Sequence, residues 1–261
     1  MNISLVISTY NSPNSLLLVL KSVEMQSVLP NEVIIADDGS LDSTRLIIDD
    51  FKTHSSISVV HSWQEDKGFR VARSRNKAIA RSSGEYIILI DGDVILHNKF
   101  LEDHLTHAEI GCFVQGSRVL LNEISSNKII SSHNTNLSFF SRGLSNRKNS
   151  IYSVFLAKLF SNKKNYLHGI KTCNMAFYKA DCIRVNGFNN NFEGWGREDT
   201  EFVVRLLNNG VHRKNIRFNL IQFHLWHKNS SRNLLQHNEL TLKNTINNSL
   251  SWCDSGINSF L

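Results

Sequence analysis

Cysteine is scarce and unpatterned in this chain. Cys112, Cys173, Cys182 and Cys253 form neither a C-x-x-C pair nor a zinc spacing. That argues against a disulfide framework or a structural metal, and it leaves free thiols in a reducing compartment. No apolar run approaches the roughly 18 residues that a membrane span needs. No charged leader precedes the strand-like start Met1-Asn2-Ile3-Ser4-Leu5. The sequence therefore reads as cytoplasmic, with contact at the inner face of a membrane left open. Internal repeats are absent, and no linker marks a domain boundary. Residues 8–13 contain no glycine, which counts against an enzyme that cradles phosphate in a glycine-rich loop near its start.

What is present suits a globular chain. Of 261 residues, 41% are apolar and 20% charged, enough to build a core without covalent staples. The net charge of +6 is unevenly spread. Residues 1–66 carry 3 basic and 9 acidic side chains, whereas residues 67–261 carry 26 and 14. Two stretches hold much of the excess. Residues 67–81 contain Lys67, Arg70, Arg73, Arg75, Lys77 and Arg81 and no acid, and residues 124–180 contain nine Lys or Arg and no acid. Such runs are either solvated faces or surfaces for phosphate, nucleic acid or anionic lipid.

The first third alternates strand and helix. Strands are expected at 3–8, 32–36, 57–62 and 86–90, with helices at 16–23, 43–51 and 72–81, the first of them ended by Pro30. Strands separated by helices imply a parallel sheet with right-handed crossovers, and ligands bind such sheets beyond the carboxyl ends of the strands. Each unusual polar cluster sits at such an end: Thr9-Tyr10, Asp37-Asp38 and Asp91-Gly92-Asp93. Residues 122–166 are rich in Asn, Ser and Lys. Within them, 151–160 reads as a short amphipathic helix, either packed on the core or lying on an anionic membrane. The last third offers a helix at 200–208 stopped by Gly210, a strand at 221–223, and a polar tail from Lys228 that is helical or wraps the surface.

Several clusters carry chemistry. Asp91 and Asp93 would share one face of an extended chain, and two close carboxylates are most cheaply used to hold a cation. Oxygen ligands point to Mg²⁺ or Mn²⁺. In Asp37-Asp38-Gly39-Ser40, Asp38 could bind a base or ribose while Asp42 or Ser43 caps the next helix. Glu198-Asp199 opens a helix behind Gly194-Trp195-Gly196. The first-turn position predicts ionised carboxylates, able to take a proton from an acceptor hydroxyl. Trp195 offers a flat face for a sugar ring, and the flanking glycines let the backbone approach it. His224 and His227 lie three residues apart. Either could be structural, or could join an aspartate in a Mn²⁺ shell.

Taken together, Ser8-Thr9-Tyr10-Asn11, the 32–40 segment Glu-Val-Ile-Ile-Ala-Asp-Asp-Gly-Ser and the 86–93 segment resemble family 2 glycosyltransferases of the GT-A fold. Gly187-Phe188 through Asp199, with His224, is similar to the galactosyltransferase-type module of β-1,4-galactosyltransferases and bacterial chondroitin polymerases. The resemblance runs from residue 3 to residue 227, with the 122–166 segment and the tail outside it. It implies an α/β fold with a mixed, mostly parallel sheet flanked by helices, divided into a nucleotide-sugar half (1–110), an acceptor and catalytic half (111–230) and a tail (231–261). It implies inverting transfer of a hexose or N-acetylhexosamine from a UDP-sugar to a glycan, forming a β-linkage in lipopolysaccharide, O-antigen or capsule, with the acceptor carried on lipid. The acid-free basic charge of residues 124–180, outside the best-matched motifs, makes that stretch a candidate to face an anionic membrane. Carried onto these residues, Thr9, Tyr10 and Asp38 hold the uridine, Arg70 or Arg73 faces the nucleotide, and Asp91 with Gly92 meets ribose or uracil. Asp93 binds Mn²⁺ or Mg²⁺ with His224, His227 being the alternative. Trp195 and Gly196 line the sugar sites, Glu198 binds the acceptor, and Asp199 is the base. The third strand leads into Lys67-Gly68-Phe69-Arg70-Val71-Ala72-Arg73 rather than the family's commoner Asn-x-Gly. Two rivals remain at this level: a nucleotidyltransferase acting on sugar phosphates, and a basic nucleic-acid binder, which would leave the acidic clusters without a role.

Overall fold

A computed structural model describes residues 1–228 and 231–261. In chain order, the first part runs β1 (Ile3–Thr9), α1 (Pro13–Glu24), β2 (Glu32–Asp37), α2 (Asp42–His54), β3 (Ser58–Trp63), α3 (Val71–Arg81) and β4 (Tyr86–Asp91). Then come β5 (Val94–Leu96), α4 (Phe100–His107), β6 (Cys112–Gln115), β7 (Val119–Leu121), α5 (Glu123–Ser132), β8 (Leu144–Ser145) and α6 (Val154–Phe160). The chain continues through β9 (Asn162–Lys163), β10 (Asn174–Tyr178), α7 (Lys179–Arg184), α8 (Glu198–Asn208), β11 (His212–Asn215), β12 (Gln222–His224) and α9 (Leu235–Asn247).

Eight strands form the main sheet in the order β3-β2-β1-β4-β10-β6-β11-β9. The first four are mutually parallel, and β10 lies antiparallel between β4 and β6. The strand and helix alternation of the first third is therefore present, and the sheet is mixed but mostly parallel. Alternating side chains leave β1 for opposite faces. Ile3, Leu5 and Ile7 pack with Leu16, Leu20, Ile48 and Phe100 on one side, while Val6 packs with Ala72, Ile79, Phe188 and Phe202 on the other. Burial on both faces explains why these strands read as continuous apolar runs. A second sheet, β5-β12-β7-β8, sits against a small apolar cluster of its own. All four cysteines are buried free thiols, and no helix is long and apolar enough to cross a membrane among the described residues.

Three local expectations are corrected, and one that stood open is decided. Helix α1 stops at Glu24, well before Pro30, because Gln26 Nε2 donates to the carbonyls of Ser22 (3.0 Å) and His97 (2.9 Å) and takes the chain out of the helix. Neither Asp42 nor Ser43 caps α2. The cap position is Leu41, with no side-chain bond, and Asp42 is the first helical residue, paired with Arg45 at 3.2 Å. Gly92 and Asp93 form a turn between β4 and β5, not extended strand. Finally, α6 does not pack on the core, since Ala157 is its one buried residue.

Helix α8 is anchored by a buried ion pair. Arg205 and Glu201 are almost fully buried and bidentate, with Nε–Oε1 at 2.8 Å and Nη2–Oε2 at 2.7 Å. Arg205 also donates to the Val185 carbonyl, and Thr245 of α9 donates to Glu201 at 3.2 Å. The pair thus ties α8 to the end of α7 and to α9. Glu201→Gln should cost about 3–5 kcal/mol in urea unfolding, because it strands a buried guanidinium. Replacing both partners with apolar residues should recover most of that loss.

Candidate active site

A cleft of about 1110 Å³ opens at the carboxyl ends of β1, β2 and β4. It is the position expected for ligands of such sheets. Thr9, Tyr10, Asp38, Asp91, Gly92, Asp93, Trp195, Gly196, Glu198, Asp199, His224 and His227 all line it. Residues up to 218 positions apart in the sequence, Thr9 and His227, therefore meet at one opening.

One wall comes from three strand ends. Thr9 lines the cleft, and its buried Oγ1 has no partner among the described residues. Tyr10 donates its hydroxyl to Asp66 at 2.9 Å and remains half exposed. Asp38 accepts from Gln64 Nε2 (2.6 Å) and from the Arg70 backbone N–H (2.7 Å). Burial nonetheless pushes its carboxyl above the ordinary range. Its neighbour Asp37 serves the turn, accepting from the Ser40 N–H and facing His61 Nε2, each at 2.8 Å. Gly92 is held against the end of β1 by its N–H bond to the Ser8 carbonyl at 2.7 Å. A Cβ there would stand 3.0 Å from that same oxygen, so the turn suits glycine.

The β4–β5 turn also sets Asp93. β12 pairs antiparallel with β5, placing His224 opposite Val94, and Leu225 N–H donates to the Asp93 carbonyl at 2.9 Å. His224 Nε2 lies 3.5 Å from Asp93 Oδ1 and His227 Nε2 lies 3.3 Å from Oδ2. The three side chains offer ligand atoms within 4.8 Å of one another. The sequence left His224 and His227 as alternatives; the fold brings both to Asp93. Asp93 Oδ1 is buried and has no hydrogen-bond partner among the described residues. Burial, with the nearby Asp91 charge, raises the Asp93 carboxyl. An orphaned carboxylate oxygen facing two imidazoles fits a divalent cation. The mixed donor set favours a transition metal such as Mn²⁺ over Mg²⁺, which prefers oxygen ligands alone.

The opposite wall is the 193–199 loop and the start of α8. Gly194 and Gly196 have φ of +70° and +105°, and Arg197 is left-handed as well at +79°. Those backbone signs explain the two glycines around Trp195. Asn238 of α9 donates to the Glu193 and Gly196 carbonyls, both at 3.0 Å. One face of Trp195 is covered by the Arg232 guanidinium, 4.9 Å from the ring centroid. The tail thus belongs to the site.

Two acidic side chains follow. Glu198 pairs with Arg75 at 3.2 Å. Asp199 accepts from the Thr200 N–H (2.6 Å) and hydroxyl (3.1 Å). Helix position alone predicts an ionised Asp199. Burial, helped by the adjacent Glu198 charge, outweighs it and pushes the carboxyl up to about 7.

Sequence reasoning missed Arg75. It is buried beneath the cleft, with Nε on Ser8 Oγ (3.1 Å), Nη2 on Asp91 (3.3 Å) and Nη1 on Glu198 (3.2 Å). Arg70 and Arg73 do not line the cleft. The Arg70 guanidinium turns to the Glu65 carbonyl, and Arg73 donates to Gln64 Oε1 at 2.8 Å and lies over Phe260. Helix phase held the signal: Ala72, Asn76 and Ile79 mark the buried face of α3, and Arg75 falls on it.

Comparison with known proteins decides the family. Glycosyl transferase family 2 matches residues 4–183, more than half of the chain. This chain belongs to glycosyltransferase family 2. A second match, to the N-terminal domain of galactosyltransferase, covers residues 155–228. Among relatives, the chain is 28% identical over 229 residues to validoxylamine A glucosyltransferase of Streptomyces hygroscopicus subsp. limoneus, covering 80% of the chain and 48% of that protein. It is 26% identical over 238 residues to chondroitin synthase of Escherichia coli, covering 82% of the chain and 33% of that protein. The chain therefore spans only a third to a half of these relatives. Its fold is similar to that of S. aureus TarS 1–349 in complex with UDP, with a TM-score of 0.63 at 15% identity over 100% of this chain and 68% of that one. Family membership sets the class of chemistry as sugar transfer, ahead of nucleotidyl transfer or nucleic-acid binding.

Arg75 lowers the Asp199 titration, working against burial. Arg75→Met should therefore move it upward from about 7, observable by carbon-detected NMR of the Asp199 carboxyl. An unchanged midpoint would show that the two groups are not coupled.

Proposed function

We propose that this chain is an inverting, Mn²⁺-dependent glycosyltransferase. It moves a hexose or N-acetylhexosamine from a UDP-sugar to a glycan acceptor, forming a β-linkage in a bacterial surface polysaccharide such as lipopolysaccharide, O-antigen or capsule. The observation that carries this reading is one cleft with two unlike acidic centres. Asp93 stands with two imidazoles at one end of the residue set, and Asp199 is tuned to about 7 at the start of α8. A metal-binding carboxylate and a proton-accepting one are what single displacement on a nucleotide sugar requires. The relatives are a glucosyltransferase and a chondroitin synthase, and TarS binds UDP. These support the donor class.

The residues divide the work. Thr9, with its unpartnered hydroxyl, Tyr10 and Asp38 receive the uridine, and Asp91 with Gly92 meets the ribose. Arg70 contributes through its backbone N–H on Asp38, and Arg73 supports Gln64 beside it. Asp93, His224 and His227 would hold Mn²⁺, whose charge offsets that of the departing UDP diphosphate. Trp195 and Gly196 line the sugar sites. Glu198, fixed by Arg75, accepts a hydrogen bond from an acceptor hydroxyl. Asp199 takes the proton of the attacking hydroxyl as its oxygen bonds to C1 and the C1–oxygen bond to UDP breaks. The acceptor is carried on lipid, and the acid-free basic segment 124–180 faces an anionic membrane at the inner side of the cytoplasmic membrane.

Two outcomes test this reading. UDP with Mn²⁺ at a hundredfold over its dissociation constant should stabilise the chain by about 2.7 kcal/mol in thermal melts. Asp93→Ala should abolish that gain, and a retained gain would remove the metal assignment. Asp199→Asn should keep UDP binding but lower transfer by about 10²–10⁴-fold, measured across UDP-Gal, UDP-Glc, UDP-GlcNAc, UDP-GalNAc and UDP-GlcA. Because the base works only when deprotonated, kcat/KM should fall as pH drops through about 7 and level off above it. A flat profile across that range would remove Asp199 as base.

A further inference from the structure

We propose that the outer face of α6, with the cations around it, is a docking surface for an anionic lipid bilayer. This goes beyond the transfer chemistry and narrows its membrane contact to one element. Seven residues form α6, and it leaves Val154 (53%), Phe155 (74%), Leu159 (64%) and Phe160 (47%) exposed. Phe155 and Leu159 are four apart and so lie on one face of the helix. Phe160 packs against Phe218 at 5.6 Å between centroids, over which the Arg217 guanidinium lies at 5.7 Å. Two large apolar side chains held outward on a short helix have no role in folding, since burying them on the core is the usual gain.

Charge around this face has one sign. Lys158 and Lys164 on the same segment, and Arg217 beside Phe218, are exposed and have no carboxylate partner among the described residues. The neighbouring acids are already engaged. Glu109 pairs with Lys163 and with Lys214 (3.3 Å). Asp103 accepts from the Leu220 N–H (3.2 Å) and the Tyr152 hydroxyl (3.1 Å). Exposed aromatic and aliphatic side chains rimmed by free cations match a bilayer with anionic headgroups. A second copy would bring the same cations face to face across a two-fold contact, which repels. The location also serves the cleft. Lys164 precedes Ile170, the first cleft-lining residue of the 170–173 segment, by six residues. That is at most about 20 Å of extended chain. The segment that carries α6 thus leads directly into one that lines the cleft.

Flotation of the full chain with vesicles tests this. The chain should float with phosphatidylglycerol-rich vesicles and stay down with pure phosphatidylcholine. Phe155→Ser with Leu159→Ser should lower the bound fraction by at least about tenfold. Lys158→Gln and Lys164→Gln should each lower it about fivefold at low salt. Both residues of the apolar pair are exposed, so the melting temperature and its UDP/Mn²⁺ shift should not change. Flotation of the double serine variant at the wild-type level would overturn the proposal. So would a wild-type chain that ignores phosphatidylglycerol, or one that instead dimerises through this face and becomes monomeric in the variant. Loss of the UDP/Mn²⁺ shift in the wild type, with flotation intact, would count against the transferase reading alone.

Discussion

The site depends on one buried guanidinium. Arg75 leaves helix α3 beneath the cleft and reaches Ser8 at the end of β1, Asp91 at the end of β4 and Glu198 at the start of α8. Those three groups come from the first part of the chain and from its last third. Several carboxylates crowd one opening, and their mutual repulsion would drive them apart or protonate them. A cation placed among them in a low-dielectric setting is worth far more than one at the surface. It orients Glu198 and lets the end of β4 sit near the start of α8. The two walls of the cleft are thus joined by charge as well as by the sheet.

Two acids in the same cleft meet different surroundings, and their chemistry diverges accordingly. Asp93 faces two imidazoles that can share a cation with it. Asp199 faces burial and a like charge, with only Thr200 donating to it. Neither side chain is special in isolation. The β5–β12 pairing sets the first environment, and the left-handed turn into α8 sets the second. Environments that push similar groups apart are the usual way one fold runs both electrostatic and proton-transfer steps.

The first four strands were legible because each is a short β-branched run, and the polar clusters that close three of them, β1, β2 and β4, line one wall of the cleft. The acidic and histidine motifs were legible for the same reason: unusual residues at strand ends and helix starts. Other features depend on contacts that no local pattern records. Arg75 could not be told from Arg70 and Arg73 by composition, only by its phase on α3. That both histidines reach Asp93 follows from the register of β12 on β5. β10 inserts antiparallel between β4 and β6, a placement that only the sheet as a whole defines. The pH behaviour expected of Asp199 from its helix was reversed by burial, which sequence does not report. The segment 151–160 was read as open between core and surface; its single buried residue settles it toward the surface.

One consequence of the tail has a longer reach. Asn238 braces the backbone on both sides of Trp195, and Arg232 shields one face of that ring, yet both lie beyond the two family matches, which end at residues 183 and 228. The wall of the cleft around Trp195 is therefore partly written in a segment that neither family match includes. Substitutions in α9 can reshape that wall while the strand-end residues and the Asp93 group stay intact. Such a division would let related chains diversify their products by exchanging a C-terminal helix, with the chemistry held fixed.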